Sequence, residues 1–169
     1  MIGKRFLYVF LLLSIPGFVK AQNGQHFTAG HQLTLEGAFA LTTNARAAAA
    51  ALGKQVSIAI VDQSGTTILL SRGNGVGPHN TEAARRKAFT ALSTKTGTLL
   101  LGRNAKANPD SENLANLPEL LLLGGGVPLW YDNKVIGAIG VAGGGGPEND
   151  DQIAKSAVSK ITGITIKKD

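Results

Sequence analysis

The chain has 169 residues, a formal net charge of +6 and no cysteine. A chain of this length forms one domain whose core can be stable without disulfides. The lack of cysteine excludes thiolate metal ligands and cysteine nucleophiles. The modest positive charge, with no basic patch interleaved with aromatic residues, argues against nucleic-acid binding.

Residues 1–21 have the layout of a secretory signal peptide. Lys4 and Arg5 precede a largely apolar run at 6–18, and small residues stand before a cleavage point after Ala21. The run is shorter than the roughly 20 residues that span a bilayer, which favours cleavage over a membrane anchor. We therefore expect export to the periplasm or the extracellular space, two destinations that a signal peptide does not distinguish.

The first part of the predicted mature chain contains one helix and one hairpin. Residues 22–32 are polar and without period, which predicts a flexible N-terminus before a domain at 33–169. Thr34 is suited to cap an alanine-rich helix that ends at Leu52 and Gly53. Alternating apolar residues at 56–60 and 67–70, separated by an Asp-Gln-Ser-Gly turn, then predict a β-hairpin.

The second half adds helices and another hairpin. A helix is predicted to begin at Asn80 or Thr81, to break near 94–98, and to be followed by a long polar loop at 103–120. Three apolar runs follow at 120–123, 127–131 and 134–141, the last two joined by an Asp-Asn turn. A final helix is expected at 148–161, with Asn149 or Asp150 as its cap. This order indicates an α+β domain in which helices pack on an antiparallel sheet.

Several classes of site find little support in the residues. No serine stands in a Gly-x-Ser-x-Gly motif, and no pair of histidines has the spacing of a helical zinc site. The glycines at 124–126 and 143–146 lack the dinucleotide pattern, and acids follow the second group where a phosphate would bind. The acids at 148–151 are explained as helix capping. We expect the glycines to make tight turns first, and Gly137 and Gly140 to let a neighbouring chain or ligand approach the strand.

One histidine lies in an organised part of the sequence. His79 follows Gly77 and Pro78 at the start of the second predicted helix. Taken alone it is a solvent-exposed loop histidine. The run Arg85, Arg86 and Lys87 beside it gives the helix a basic stripe, which is commonly a solvated face but also suits a ligand that carries carboxylates.

Three segments resemble a known family. They are LGKQVSIAIVDQSGTTILLSR, TEAARRKAFTAL and LLLLGGGVPLWYDNKVIGAIGVAGGGGPENDDQIAKSA, within residues 33–163. On these segments the chain resembles the GlcG/HbpS-like family, also called domain of unknown function 336. The resemblance implies profilin-like α/β/α layers around a five-stranded antiparallel sheet, assembly into homo-oligomers such as octamers, and haem binding.

The resemblance also suggests residues for a haem site. His79 is the expected ligand of the haem iron, with His31 and Thr81 as further candidates near the site. Arg85, Arg86 and Lys87 are candidate partners for the propionates. The leading interpretation is an exported haem-binding, haem-sensing or haem-storing oligomer, with a membrane-linked or extracellular sensor as a possible partner.

Two alternatives remain open at this point. The family's association with glycolate-related genes suggests an accessory protein or enzyme that acts on a small hydroxy acid. The residues offer no complete acid–base constellation for such a reaction, which favours a protein that is not an enzyme. The other alternative is a structural oligomer that binds no ligand.

Overall fold

A computed structural model describes residues 30–167 of the chain. The predicted signal peptide and most of the predicted flexible segment, residues 22–29, lie outside this range. The elements in chain order are α1 (Leu35–Ala51), β1 (Ser57–Asp62), β2 (Thr67–Arg72), α2 (His79–Thr94), α3 (Thr98–Ala107), a 3-10 helix (Pro109–Asn116), β3 (Gly126–Tyr131), β4 (Lys134–Ala142) and α4 (Pro147–Val158). None of the helices in residues 30–167 has the length and apolarity that a membrane span requires.

The strands form one antiparallel sheet in the order β2-β1-β4-β3. Both predicted hairpins are therefore confirmed, but the sheet has four strands where five were expected. Beyond β3, the C-terminal segment contributes a single bridge, in which Thr165 pairs with Trp130. The apolar run at 120–123 is not a strand, because its backbone hydrogen-bonds to Thr90 of α2 and Thr98 of α3 instead of to a neighbouring strand.

Two cores of different character lie on the two faces of the sheet. On one face, α1 and α4 pack against large aliphatic side chains that include Ile58, Ile60 and Ile139. On the other face, α2 packs through alanines against Ala59, Val61 and other small residues of β1 and β4. The result is an α/β/α arrangement in which α2 approaches the sheet more closely than large side chains would allow.

Glycines in β3 and β4 make this close approach possible. Gly140 pairs with Ala59 on one side and with Gly126 on the other, so that three small residues form a row across the sheet. A Cβ on Gly140 would collide with the α2 backbone at Ala84 and Ala88, and one on Gly137 would collide with the carbonyl of Val61. The space at these two glycines is thus filled by the chain's own α2 and β1, and the expected approach of a ligand or neighbouring chain there is wrong.

The helix ends agree with expectation in the first half of the chain and depart from it later. Thr34 caps α1 by accepting a hydrogen bond from Gly37 N at 3.1 Å, Gly53 has φ +64°, and the break after Thr94 is present. The predicted loop at 103–120 is wrong, because most of it is α3 and the 3-10 helix. Neither Asn149 nor Asp150 caps α4, which begins earlier, at Pro147.

Candidate functional site

An open cleft of about 340 Å³ lies at the N-terminal end of α2, and we call it the His79 cleft. Its floor contains Lys87 and Asp150. Its walls come from three parts of the chain: the first turns of α2, Leu123, and the glycine loop that leads into α4. Residues 79, 83 and 87 lie on one face of α2 because they are spaced by about one helical turn each. A second cleft, of about 220 Å³ and lined by Lys95, Lys155 and Lys167, contains no histidine.

His79 is the first residue of α2, and its side chain is exposed. The imidazole lies against Gly77, where an added Cβ would come within 2.9 Å of Cε1 and 3.1 Å of Nδ1. Glycine at 77 therefore leaves room for the ring beside the fixed Pro78. Among residues 30–167 the ring makes no hydrogen bond, so that a ring nitrogen is available to a ligand.

The glycine loop gives the cleft a wall of backbone. Gly143, Gly145 and Gly146 have φ values of +105°, +94° and +155°, and a Cβ on Gly146 would meet nothing within 4 Å. Two hydrogen bonds to the first turn of α4 hold the loop in place. Gly144 N donates to Asp150 Oδ1 at 2.7 Å, and Asn149 Nδ2 donates to Gly144 O at 3.0 Å. A fixed wall without side chains suits a flat ligand that packs closely against the backbone.

A buried ion pair forms the floor of the cleft. Lys87 Nζ lies 2.8 Å from Asp150 Oδ2 and 3.0 Å from the carbonyl oxygen of Val141, and the Lys87 side chain is 1% exposed. Burial lowers the pKa of Lys87, and the charge of Asp150 offsets part of that shift. The pair joins α2 to α4 beside Gly125, where a Cβ would come within 2.7 Å of Asp150 Cβ and 3.2 Å of Lys87 Nζ. The interpretation of the acids at 148–151 as caps is therefore wrong for Asp150.

The predicted basic stripe does not form, because its three members point to different partners. Lys87 is buried in the pair with Asp150. Arg85 Nη2 lies 2.7 Å from Glu82 Oε1 and 2.9 Å from Glu119 Oε2, and these hydrogen bonds raise the pKa of the guanidinium. Arg86 Nη2 donates to the carbonyl oxygen of Leu120 at 2.6 Å. Neither arginine lines the His79 cleft.

The two other candidate ligands also lie away from the His79 cleft. Thr81 Oγ1 is 3.3 Å from Ser57 Oγ on β1 and is not part of the cleft lining. His31 packs edge-on against Tyr131, with ring centroids 4.6 Å apart, at the end of the sheet where β4 begins. The His79 cleft lies beyond the other end of β4, roughly 30 Å away at the rise of an extended strand. Within one chain, His31 and His79 therefore cannot hold the same group.

The residues of the His79 cleft fit the haem that the resemblance implies. The histidine supplies an unpaired imidazole nitrogen, Leu123 and Ala83 supply apolar surface, and the glycine loop supplies a smooth wall. Leu123 is held in place because Thr98 Oγ1 donates to its carbonyl oxygen at 2.8 Å. No group of three histidine, cysteine or carboxylate side chains in residues 30–167 could hold a bare metal ion, so the donor set is that of a single axial ligand.

Sequence reasoning singled out His79, which lines this cleft, but did not predict most of the residues around it. Leu123, Asn80 and Ala83 had not been expected to line the cleft, and the glycine loop had been interpreted chiefly as a set of turns. The one signal in the sequence was the spacing of residues 79, 83 and 87, which places their side chains on one helical face. Leu123 gave no such signal, because its position follows from the irregular path of 117–125.

Comparison with known proteins gives a consistent result. A family model described as "Haem degrading protein HbpS-like" matches residues 33–159. The crystal structure of HbpS is 37% identical, with a TM-score of 0.74 and coverage of 82% of this chain and 96% of that one. The crystal structure of a PduOC–haem complex is 29% identical, with a TM-score of 0.73 and coverage of 82% and 100%.

A longer relative shares only this domain. The corrinoid adenosyltransferase PduO of Salmonella typhimurium is 32% identical over 108 residues, which are 63% of this chain and 32% of PduO. The chain thus matches about a third of PduO.

Proposed function

The chain belongs to the HbpS-like family, and on that premise we propose that it binds haem in the His79 cleft with His79 as the axial ligand. The observation that carries the proposal is an exposed imidazole, without a hydrogen-bond partner in the described part of the chain, at the mouth of a cleft walled by apolar side chains and backbone. The relative solved as a haem complex supports the same ligand class.

The residues of the cleft have separate tasks in this proposal. His79 would supply a ring nitrogen to the iron and so set the ligand's position, and glycine at 77 leaves room for the imidazole. Leu123 and Ala83 contact the apolar macrocycle and exclude water from one face. Bound haem supplies an iron centre whose properties depend on its axial ligand and on the polarity of the site.

A hemin titration tests the proposal. Wild-type protein is expected to give a sharpened, shifted Soret band, and His79→Ala is expected to weaken binding by about tenfold or more, because the axial nitrogen is lost. His31→Ala is the matched control, since His31 is also an exposed histidine but lies at the other end of the sheet. A flat wild-type titration at micromolar hemin, or equal losses in the two variants, would contradict the assignment.

We also propose that the protein is exported and works as a homo-oligomer that stores or senses haem. The signal-peptide pattern of residues 1–21 supports export. Leu35 and Phe39 support a contact with a second copy, because they stand one turn apart on α1 and are 48% and 57% exposed.

Export and assembly are tested on protein recovered from the cell envelope or the medium. Mass spectrometry should give a chain that begins at Gln22, and size-exclusion chromatography with light scattering should give several times the mass of one chain. A full-length chain confined to the cytoplasm would contradict export, and a monomer would contradict assembly.

A further inference from the structure

Haem carries two carboxylates at one edge of an otherwise apolar disc, and a protein site commonly pairs such groups with cations. The cations expected from the sequence already have other partners. Arg85 is held by Glu82 and Glu119, and Lys87 is held by Asp150. Cations for the carboxylates must therefore come from other residues around the His79 cleft.

A neighbouring cleft supplies candidate cations. This Arg103 cleft, of about 130 Å³, lies between α3 and the start of α4 and is lined by Arg103 and Lys106. Leu123 and Pro147 line both this cleft and the His79 cleft. The two clefts are thus neighbouring depressions separated by one low apolar ridge, and Leu123 on that ridge is 44% exposed.

The cations of the Arg103 cleft are available to a ligand. Arg103 has one ion pair, with Glu148 at 3.2 Å, in which the two side chains are 63% and 65% exposed. Such exposed pairs contribute little, so a ligand carboxylate can replace Glu148. Lys106 is exposed in the last turn of α3 and makes no ion pair within residues 30–167.

We propose that Arg103 and Lys106 bind the carboxylates of a tetrapyrrole that lies across Leu123 and Pro147 with its metal at His79. The inference rests on the proposed function and adds to it a prediction of which tetrapyrroles the site binds. A ligand must have free carboxylates on the side away from His79, because the two cations lie there. Corrinoids, whose side chains are neutral amides, gain nothing from these cations and are selected against.

The test compares hemin, hemin dimethyl ester and cobinamide in variants that remove positive charge on either side of the His79 cleft. The double variant Arg103→Gln/Lys106→Gln is titrated with hemin and with hemin dimethyl ester, whose carboxylates are blocked. Lys54→Gln is the matched control, because Lys54 Nζ lies on the opposite side of the His79 cleft, 3.5 Å from where a Cβ on Gly145 would be. The single variants Arg103→Gln and Lys106→Gln show how the effect divides between the two side chains.

The expected results follow from charge alone. Wild-type protein should bind hemin about tenfold more tightly than the ester. The double variant should lose that preference, keep its affinity for the ester, and retain the wild-type Soret position, since the iron ligand is unchanged. Cobinamide should bind the wild type and the double variant with the same low affinity.

Other outcomes separate this inference from the proposed function. If the wild type binds no hemin, the proposed function fails, and this inference fails with it. If hemin binds through His79 and the double variant keeps the preference over the ester, the proposed function stands and this inference is overturned. The same holds if Lys54→Gln abolishes the preference, because the carboxylates then face the glycine loop.

Discussion

Replacing Lys87 with methionine is expected to lower the free energy of unfolding by about 3–5 kcal/mol. The side chain is 1% exposed, and its ammonium is the counter-ion of Asp150 at 2.8 Å. Methionine fills similar space but leaves the Asp150 carboxylate buried without its cation and the carbonyl of Val141 without this donor. An uncompensated buried charge is among the few single changes with a cost this large.

The measurement is urea unfolding of a double-mutant cycle made of Lys87→Met, Asp150→Asn and the two combined. The combined variant should be less destabilised than Lys87→Met alone, because it removes both charges, while the amide oxygen introduced by Asp150→Asn can still accept from Gly144 N. Lys134→Met, at an exposed lysine, controls for the substitution itself. Additive effects in the cycle, or a Lys87→Met cost no larger than that of Lys134→Met, would contradict the role of the pair.

A buried ion pair costs desolvation free energy as well as providing Coulomb attraction, so its presence is not by itself an argument for net stability. Burial disfavours the charged lysine by more than Asp150 restores. The pair does fix the relative position of α2, α4 and the glycine loop. It fastens α2 to α4, and Asp150 also holds the glycine loop through Gly144. We therefore interpret the pair as the fixed floor against which the His79 cleft keeps its shape.

The fold could be predicted from the sequence wherever a period was visible. The alternation at 56–60 and 67–70 and the turn at 132–133 predicted both hairpins correctly. The segment 103–120 gave no period because its part of α3 buries only Ala105 and the 3-10 helix buries no residue. Its polar composition therefore resembled that of a loop.

The site shows a different limit. Ala84, Lys87, Ala88 and Ala91 follow the spacing of a buried helical face, and all four are buried. Only the charge of Lys87, in a run of three basic residues, suggested a solvated position. The partner that makes burial tolerable lies 63 residues along the chain. Spacing alone cannot reveal a pairing of that kind, whereas it could have placed His79 and Lys87 on one face.

Replacing Gly140 with alanine is expected to lower the free energy of unfolding by about 3 kcal/mol, at the upper end of the cost of overpacking. The new Cβ would collide with the carbonyl of Ala84 and would lie 2.6 Å from the amide nitrogen of Ala88. Both atoms belong to the α2 backbone, which cannot turn aside as a side chain can. The helix would have to lift from the row that Ala59, Gly140 and Gly126 form across the sheet.

Gly75→Ala is the control that separates the cost of a steric collision from the cost of an unfavourable backbone conformation. Gly75 has φ +75°, and a Cβ there would meet nothing within 4 Å, so the expected cost is about 1 kcal/mol from the left-handed conformation alone. Thermal or urea unfolding of the two variants measures the difference. His79 stands on α2, so a displaced helix should also weaken hemin binding. The Gly140→Ala variant should therefore bind hemin less tightly, whereas the Gly75→Ala variant should bind it as the wild type does. Equal costs in the two variants would mean that α2 does not depend on close approach to the sheet.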